Sequence, residues 1–82
     1  MKIIVYNQHN EKILIPDAKA VPRHGDVIGV IFPSDNQIKE QITYPVVEKV
    51  YFWPTSHQLD QLGVSYNKPQ DIEAIIYVYS GV

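Results

Sequence analysis

The side chains that could do chemistry in this sequence are few and scattered. His24 and Asp26 flank Gly25, and a His-x-Asp pair can hold a metal or fix the tautomer of an imidazole. With Arg23 beside them they form a loop candidate, and with His57 they would be the start of a metal-dependent hydrolase. The plainer reading is that Asp26 caps a turn and His24 is a solvated loop residue, since no second ligand pair lies at a metal-binding spacing. Ser56 and His57 are adjacent, but sequence neighbours seldom form a nucleophile–base pair, and Ser56 suits the first turn of a helix. Glu40 and Glu48 would face each other if strands on either side of Pro45 paired, which would split their pKa values. Lys39 or Lys49 would neutralise them in the same geometry. No glycine-rich phosphate loop, zinc-protease motif or nucleophile elbow occurs. The expectation is a protein without a catalytic residue, a resident metal or a cofactor.

The aromatic residues say more. Six tyrosines, two phenylalanines and one tryptophan are many for 82 residues. Simple alternation places Tyr77 and Tyr79 opposite the apolar side made by Ile72, Ala74, Ile76 and Val78. It places Tyr51 and Trp53 on one side with Val47 and Lys49. Both sides of so thin a domain are not expected to be equally buried. Tyr51, Trp53, Tyr77 and Tyr79 are therefore the candidate partner-binding surface, since tyrosine and tryptophan are favoured at interfaces. The competing reading is that they complete the second face of a curled sheet or pack on a short helix.

Composition narrows the partners. The formal net charge is −2, with a single arginine and no basic cluster. Nucleic-acid binding needs clustered Lys or Arg to release counterions, so polyanions are disfavoured. The absence of cysteine removes disulfides, thiol catalysis and thiolate zinc sites together. The apolar run 3–6 is too short for a secretory core or a membrane span. A soluble, cytoplasmic protein without membrane contact is the natural expectation, and the length allows a single domain over 1–82.

Short runs rich in Ile, Val and Tyr, punctuated by Pro, Gly, Asn and Asp, must position these residues. Runs 3–6 and 12–15 predict a hairpin, and Pro16 ends it. Residues 17–25 form an irregular crossing, in which Gly25 can supply a positive φ. Residues 26–32 are apolar on both faces and predict a central strand, with Gly29 marking a bulge or a close backbone approach. A turn at 33–36, an edge strand over 37–44 and a long strand over 46–53 follow. Thr55 and Gln58 match a capping box, Leu59 and Leu62 lie three apart, and Gly63 suits a C-cap. A two-turn helix over 56–62 results, and it must dock on the sheet to persist. Residues 71–79 give the cleanest alternation and the last strand.

These elements predict a mainly β fold, a small SH3-like barrel or strongly bent roll of five to six strands with one short helix. The segment Pro22-Arg23-His24-Gly25-Asp26-Val27-Ile28 resembles a P-R-x-G-D turn feeding a strand. The later pieces Tyr44-Pro45-Val46-Val47-Glu48-Lys49-Val50 and Ile76-Tyr77-Val78-Tyr79 resemble the tyrosine-containing and final strands of the same pattern. About half the chain is thus similar to small uncharacterised SH3-like β-barrel proteins of prophages and mobile elements. The stretch 32–44 is longer than the short hairpin usual there. The resemblance implies a barrel and a non-enzymatic role and carries over no catalytic residue. The favoured expectation is a protein–protein interaction or assembly module, binding an unknown protein partner or itself. The alternatives are a small-ligand or single-stranded nucleic-acid binder using Tyr51, Trp53 and Arg23 at a barrel mouth, and the hydrolase around His24 and Asp26.

Overall fold

Two strands are apolar on alternate residues in both directions, and they take the centre of the sheet. In the computed structural model, which describes residues 1–32 and 42–79, β1 (Lys2–Asn7) lies parallel to β4 (Ile72–Tyr79). β2 (Lys12–Ile15) pairs antiparallel with β1, and β3 (Val46–Phe52) pairs antiparallel with β4. The sheet order is β2-β1-β4-β3. A parallel central pair is buried on both faces, and that is the pattern here. Ile3, Val5, Ala74, Ile76 and Val78 pack with Val47 and Val30 on one side. Ile4, Ile72 and Ile75 pack with Leu59 on the other.

Each face has its own cover. The first is covered by the irregular chain before Phe32, through Ala18, Val21, Ile28 and Phe32. The second is covered by α1 (Ser56–Leu62) and by Val64 and Tyr66. The expectation that so thin a domain buries one face more than the other is thereby corrected. The irregular crossing supplies a layer that sequence periodicity does not reveal.

The helix matches its sequence signals in detail. Thr55 caps it, with the Gln58 N–H donating to Oγ1 at 3.3 Å and the Thr55 N–H donating to Gln58 Oε1 at 2.9 Å. Gly63 closes it at φ 70°, in the left-handed region. Pro54 and Leu59, both buried, occupy the two positions of a hydrophobic staple. Leu59 is 0 % exposed and anchors this short helix to the sheet.

The hairpin is equally well specified. Asn7, the buried polar side chain, accepts from the N–H groups of His9 and Glu11, each at 3.0 Å, and donates to Glu11 Oε1 at 3.0 Å. This side chain works with two backbone bonds, from the Asn7 N–H to the Glu11 carbonyl and from the Asn10 N–H to the Asn7 carbonyl, to shape the connection between β1 and β2.

The barrel does not form. Among the described residues the sheet has four strands, with β2 and β3 at its two edges, and stays open. Residues 26–32 are not a central strand. Among the described residues they make isolated antiparallel bridges, Val27 with Val46 and Val30 with Thr43. Because β1 and β4 already occupy the centre of the sheet, Ile28, Val30 and Phe32 cover it, while Val27 stays exposed. At Gly29 the close neighbour is a side chain and not the backbone expected, since a Cβ there would lie 3.3 Å from the Tyr44 ring. The turn at 33–36, most of the strand over 37–44, and Glu40 lie outside the described residues.

Candidate interaction surface

β3 is the exposed edge of the sheet, and three features of its sequence shape that edge. The first is at its start, where the outer side is already occupied. The Gly25 N–H donates to the Val47 carbonyl and the Val47 N–H donates to the Asp26 carbonyl, both at 2.8 Å. Gly25 sits at φ 91°, the left-handed turn that brings this segment alongside. The second is a bulge. Val47 faces Val78 but Lys49 faces Tyr77, so Glu48 is an extra residue. It flips the alternation: Val47 and Val50 both pack on the first face, while Lys49 and Tyr51 lie on the second. Val47 therefore does not share a side with Tyr51, as unbroken alternation implies.

The third is at the far end. Trp53 has φ 51°, a left-handed conformation that is an outlier for a bulky side chain. Such backbone costs on the order of 1–3 kcal/mol and persists only where its surroundings enforce it. Here the Trp53 N–H donates to the Glu73 carbonyl at 2.8 Å, and buried Pro54 and the Thr55 cap follow at once. The chain must leave the strand and enter the helix within these residues. The indole nonetheless stays 63 % exposed, and Phe52 beside it 60 %.

Two clefts flank this edge. One, of about 380 Å³, separates residues 21–24 from β3 and is floored by Val50 and Phe52, with Arg23, His24, Glu48 and Lys49 at its rim. The other, of about 210 Å³, lies on the helix side among Tyr6, Tyr51, Gln58, Gln61, Leu62 and Ile75. There Tyr6 and Tyr77 pack with ring centroids 5.0 Å apart at 47°. The Tyr6 phenol is pushed above its ordinary value of 10.0, first by burial and then by the neighbouring Tyr51 and Tyr77. Tyr66 is also raised, chiefly because its hydroxyl donates to Asp60 at 2.8 Å.

The aromatic residues singled out in the sequence are thus not one patch. Tyr51 and Tyr77 join Tyr6 on the helix side of the sheet. Trp53 stands at one end of β3. Tyr79, 51 % exposed, faces Val46 at the other end, about 20 Å along the strand. Arg23 and His24 meet β3 across the larger cleft. Asp26 is turned inward on its own loop, where Oδ2 accepts from the Arg23 N–H at 2.9 Å, as expected of a turn cap. His57 is exposed on the first turn of α1, with its Nε2 3.2 Å from Gln61 Nε2. Among the described residues no three His, Cys, Asp or Glu side chains converge as metal ligands would.

Two participants were missed in the sequence. Phe52 is legible in retrospect, as the middle of a Tyr-Phe-Trp run before a proline. Tyr6 carries no local signal, because only the parallel β1–β4 pairing brings it to Tyr77. No helix among the described residues is long and apolar enough to cross a membrane. Comparison with protein-family models, curated proteins and solved structures finds no match.

Proposed function

We propose that this protein is a non-catalytic protein–protein interaction module that takes its partner along the outer edge of β3. The carrying observation is the combination at residues 50–53 of an open strand edge, exposed Phe52 and Trp53, and a left-handed backbone at Trp53. A protein with no use for that indole would gain stability by replacing it. Exposed aromatic side chains beside unpaired backbone groups suit strand addition, in which main-chain hydrogen bonds supply affinity and alternate side chains supply selectivity. The larger cleft, floored by Val50 and Phe52, would receive one such side chain. The resemblance to small SH3-like proteins of prophages and mobile elements points to the same non-enzymatic role, and we extend the proposal to a cytoplasmic setting.

Selection of displayed extended peptides on the wild-type protein, with Phe52→Asp as counter-selector, tests this reading. Enriched peptides should alternate apolar and polar residues and lose binding to the variant. Enrichment of nothing that distinguishes the two proteins would refute it.

A second reading has one observation in its favour. The tyrosine cleft on the helix side is lined by phenols, amides and apolar groups with no charged side chain, which suits a small neutral ligand. A thermal-shift panel of neutral metabolites repeated on Tyr6→Ala would reveal it, and no shift lost in that variant would dispose of it.

A further inference from the structure

The interaction reading leaves the occupant of the β3 edge open, and the sequence of the edge itself narrows it. Which backbone groups are free follows from two fixed points. The Trp53 N–H points inward to Glu73, and both backbone groups of Val47 point outward to Gly25 and Asp26. Alternation along an antiparallel strand, with the extra residue at Glu48, then turns the N–H and C=O groups of Val50 and Phe52 outward. Those of Lys49 and Tyr51 face β4. The open edge is therefore short. The bulge and the segment at Gly25 and Asp26 close it on one side, and Pro54, which has no N–H, closes it on the other.

Resting on the docking edge proposed above, we infer that its occupant is a second copy of this chain, with β3 pairing antiparallel to its twin about Tyr51. A two-fold axis normal to the sheet keeps each face on its own side, so a residue can oppose only a residue of the same face. Centring on Tyr51 sets Val50 opposite Phe52 of the second copy, and Phe52 opposite its Val50. Both are outward-facing positions, so each pair exchanges two main-chain hydrogen bonds. The apolar cleft floored by Val50 accepts the exposed phenylalanine of the other copy. Tyr51 meets its own twin as a non-hydrogen-bonded pair, the spacing at which facing side chains lie closest. Lys49 falls opposite Trp53, placing an ammonium beside an exposed indole. Every facing pair is complementary, and no like charges meet.

Centring one residue earlier sets Glu48 against Phe52 and carries Trp53 of the second copy onto Val47, whose outer groups are already bonded to Gly25 and Asp26. The overlap about Tyr51 uses only free positions. It is also short, so the association is weak and concentration-dependent.

The cysteine-free sequence makes the register directly testable. Sedimentation of the wild type from about 10 µM to about 1 mM should show a monomer passing to a dimer. Mild oxidation of Tyr51→Cys should then give a covalent dimer, because Cα atoms in such pairs lie about 4.5 Å apart. Lys49→Cys should not, because its two copies stand about 13 Å apart along the strands. Tyr51→Lys and Tyr51→Glu should each be monomeric, and an equimolar mixture of the two should recover the dimer. A wild type that stays monomeric throughout, or Lys49→Cys coupling as fast as Tyr51→Cys, overturns the inference. If that monomer still captures selected peptides along β3, the second copy is wrong and the docking edge stands. If it captures none, both fail.

Discussion

The two edges of this sheet are built on opposite plans. β2 is four residues long and lies between a tightly tied loop and Pro16. Its start is fixed by Asn7, whose side chain holds His9 and Glu11, and lysine and proline flank its short ladder. These are standard ways to blunt an edge. β3 is seven residues long and ends in exposed Phe52 and Trp53. Among the described residues, the bulge at Glu48 and the segment at Gly25 and Asp26 guard its start and Pro54 stops it at the far end, and the stretch between them stays open. One edge is closed by local hydrogen bonding at little cost. The other keeps its far half open and holds a bulky side chain in an unfavourable backbone. Stability and exposure are thus separated across the sheet, and substitutions at the two ends should behave differently.

The largest effect should come from behind both edges. Leu59→Ala removes the helix anchor, which is wholly buried, and should cost about 2–5 kcal/mol in denaturant unfolding. Loss of that size would release α1 and lower the whole domain's stability. Next, at the closed edge, Asn7→Ala strands the N–H groups of His9 and Glu11 and should cost about 1–3 kcal/mol. Its association behaviour should not change at concentrations where it remains folded. The open edge should invert that pattern. Trp53→Gly relieves the left-handed backbone at an exposed position and should leave stability within about 1 kcal/mol of wild type, or raise it. Association measured by sedimentation should fall sharply. A Trp53→Gly protein that unfolds as readily as Asn7→Ala would erase the distinction between the edges.

The smallest effect concerns pH. The Tyr6 phenol is raised above 10.0 in the folded protein, so the native state favours its protonated form. Its contribution is fully present below the unfolded value and is lost as pH rises through the folded one. Stability should therefore decline above about pH 10, and Tyr6→Phe should weaken that dependence. An unchanged alkaline profile in Tyr6→Phe would place its cause elsewhere.

Much of this fold was legible where local chemistry decides it. The helix is the clearest case, because Thr55, Gln58 and Gly63 act within a single turn of themselves. The hairpin follows from patterning and punctuation in the same way, and so does the last strand from Ala74 onward. Ile72 packs with Ile75 and not with Ala74, Ile76 and Val78, because the β1–β4 register shifts between Ile72 and Ala74. The centre of the sheet was not legible. Residues 26–32 look more like a central strand than residues 2–7 do, yet burial on two faces depends on which strands pair across the chain. The parallel β1–β4 contact is non-local and leaves no periodic trace. The candidate surface was half legible. Tyr51 and Trp53 could be picked out by type, but the single extra residue at Glu48 reassigns faces along β3, and a one-residue shift moves every side chain after it. Phe52 could have been picked out from the Tyr-Phe-Trp run before Pro54, but its sharing a face with Val50 and Val47 became visible only with that bulge in place.

Amide hydrogen exchange along β3 tests the central claim most directly. In dilute solution the Val50 and Phe52 amides should exchange fast while those of Tyr51 and Trp53, bonded to β4, exchange slowly. Raising the protein concentration should protect Val50 and Phe52 selectively. Amides at Val50 and Phe52 that are already protected in the dilute monomer would contradict the open edge, and so would amides that stay unprotected at every concentration and with every selected peptide.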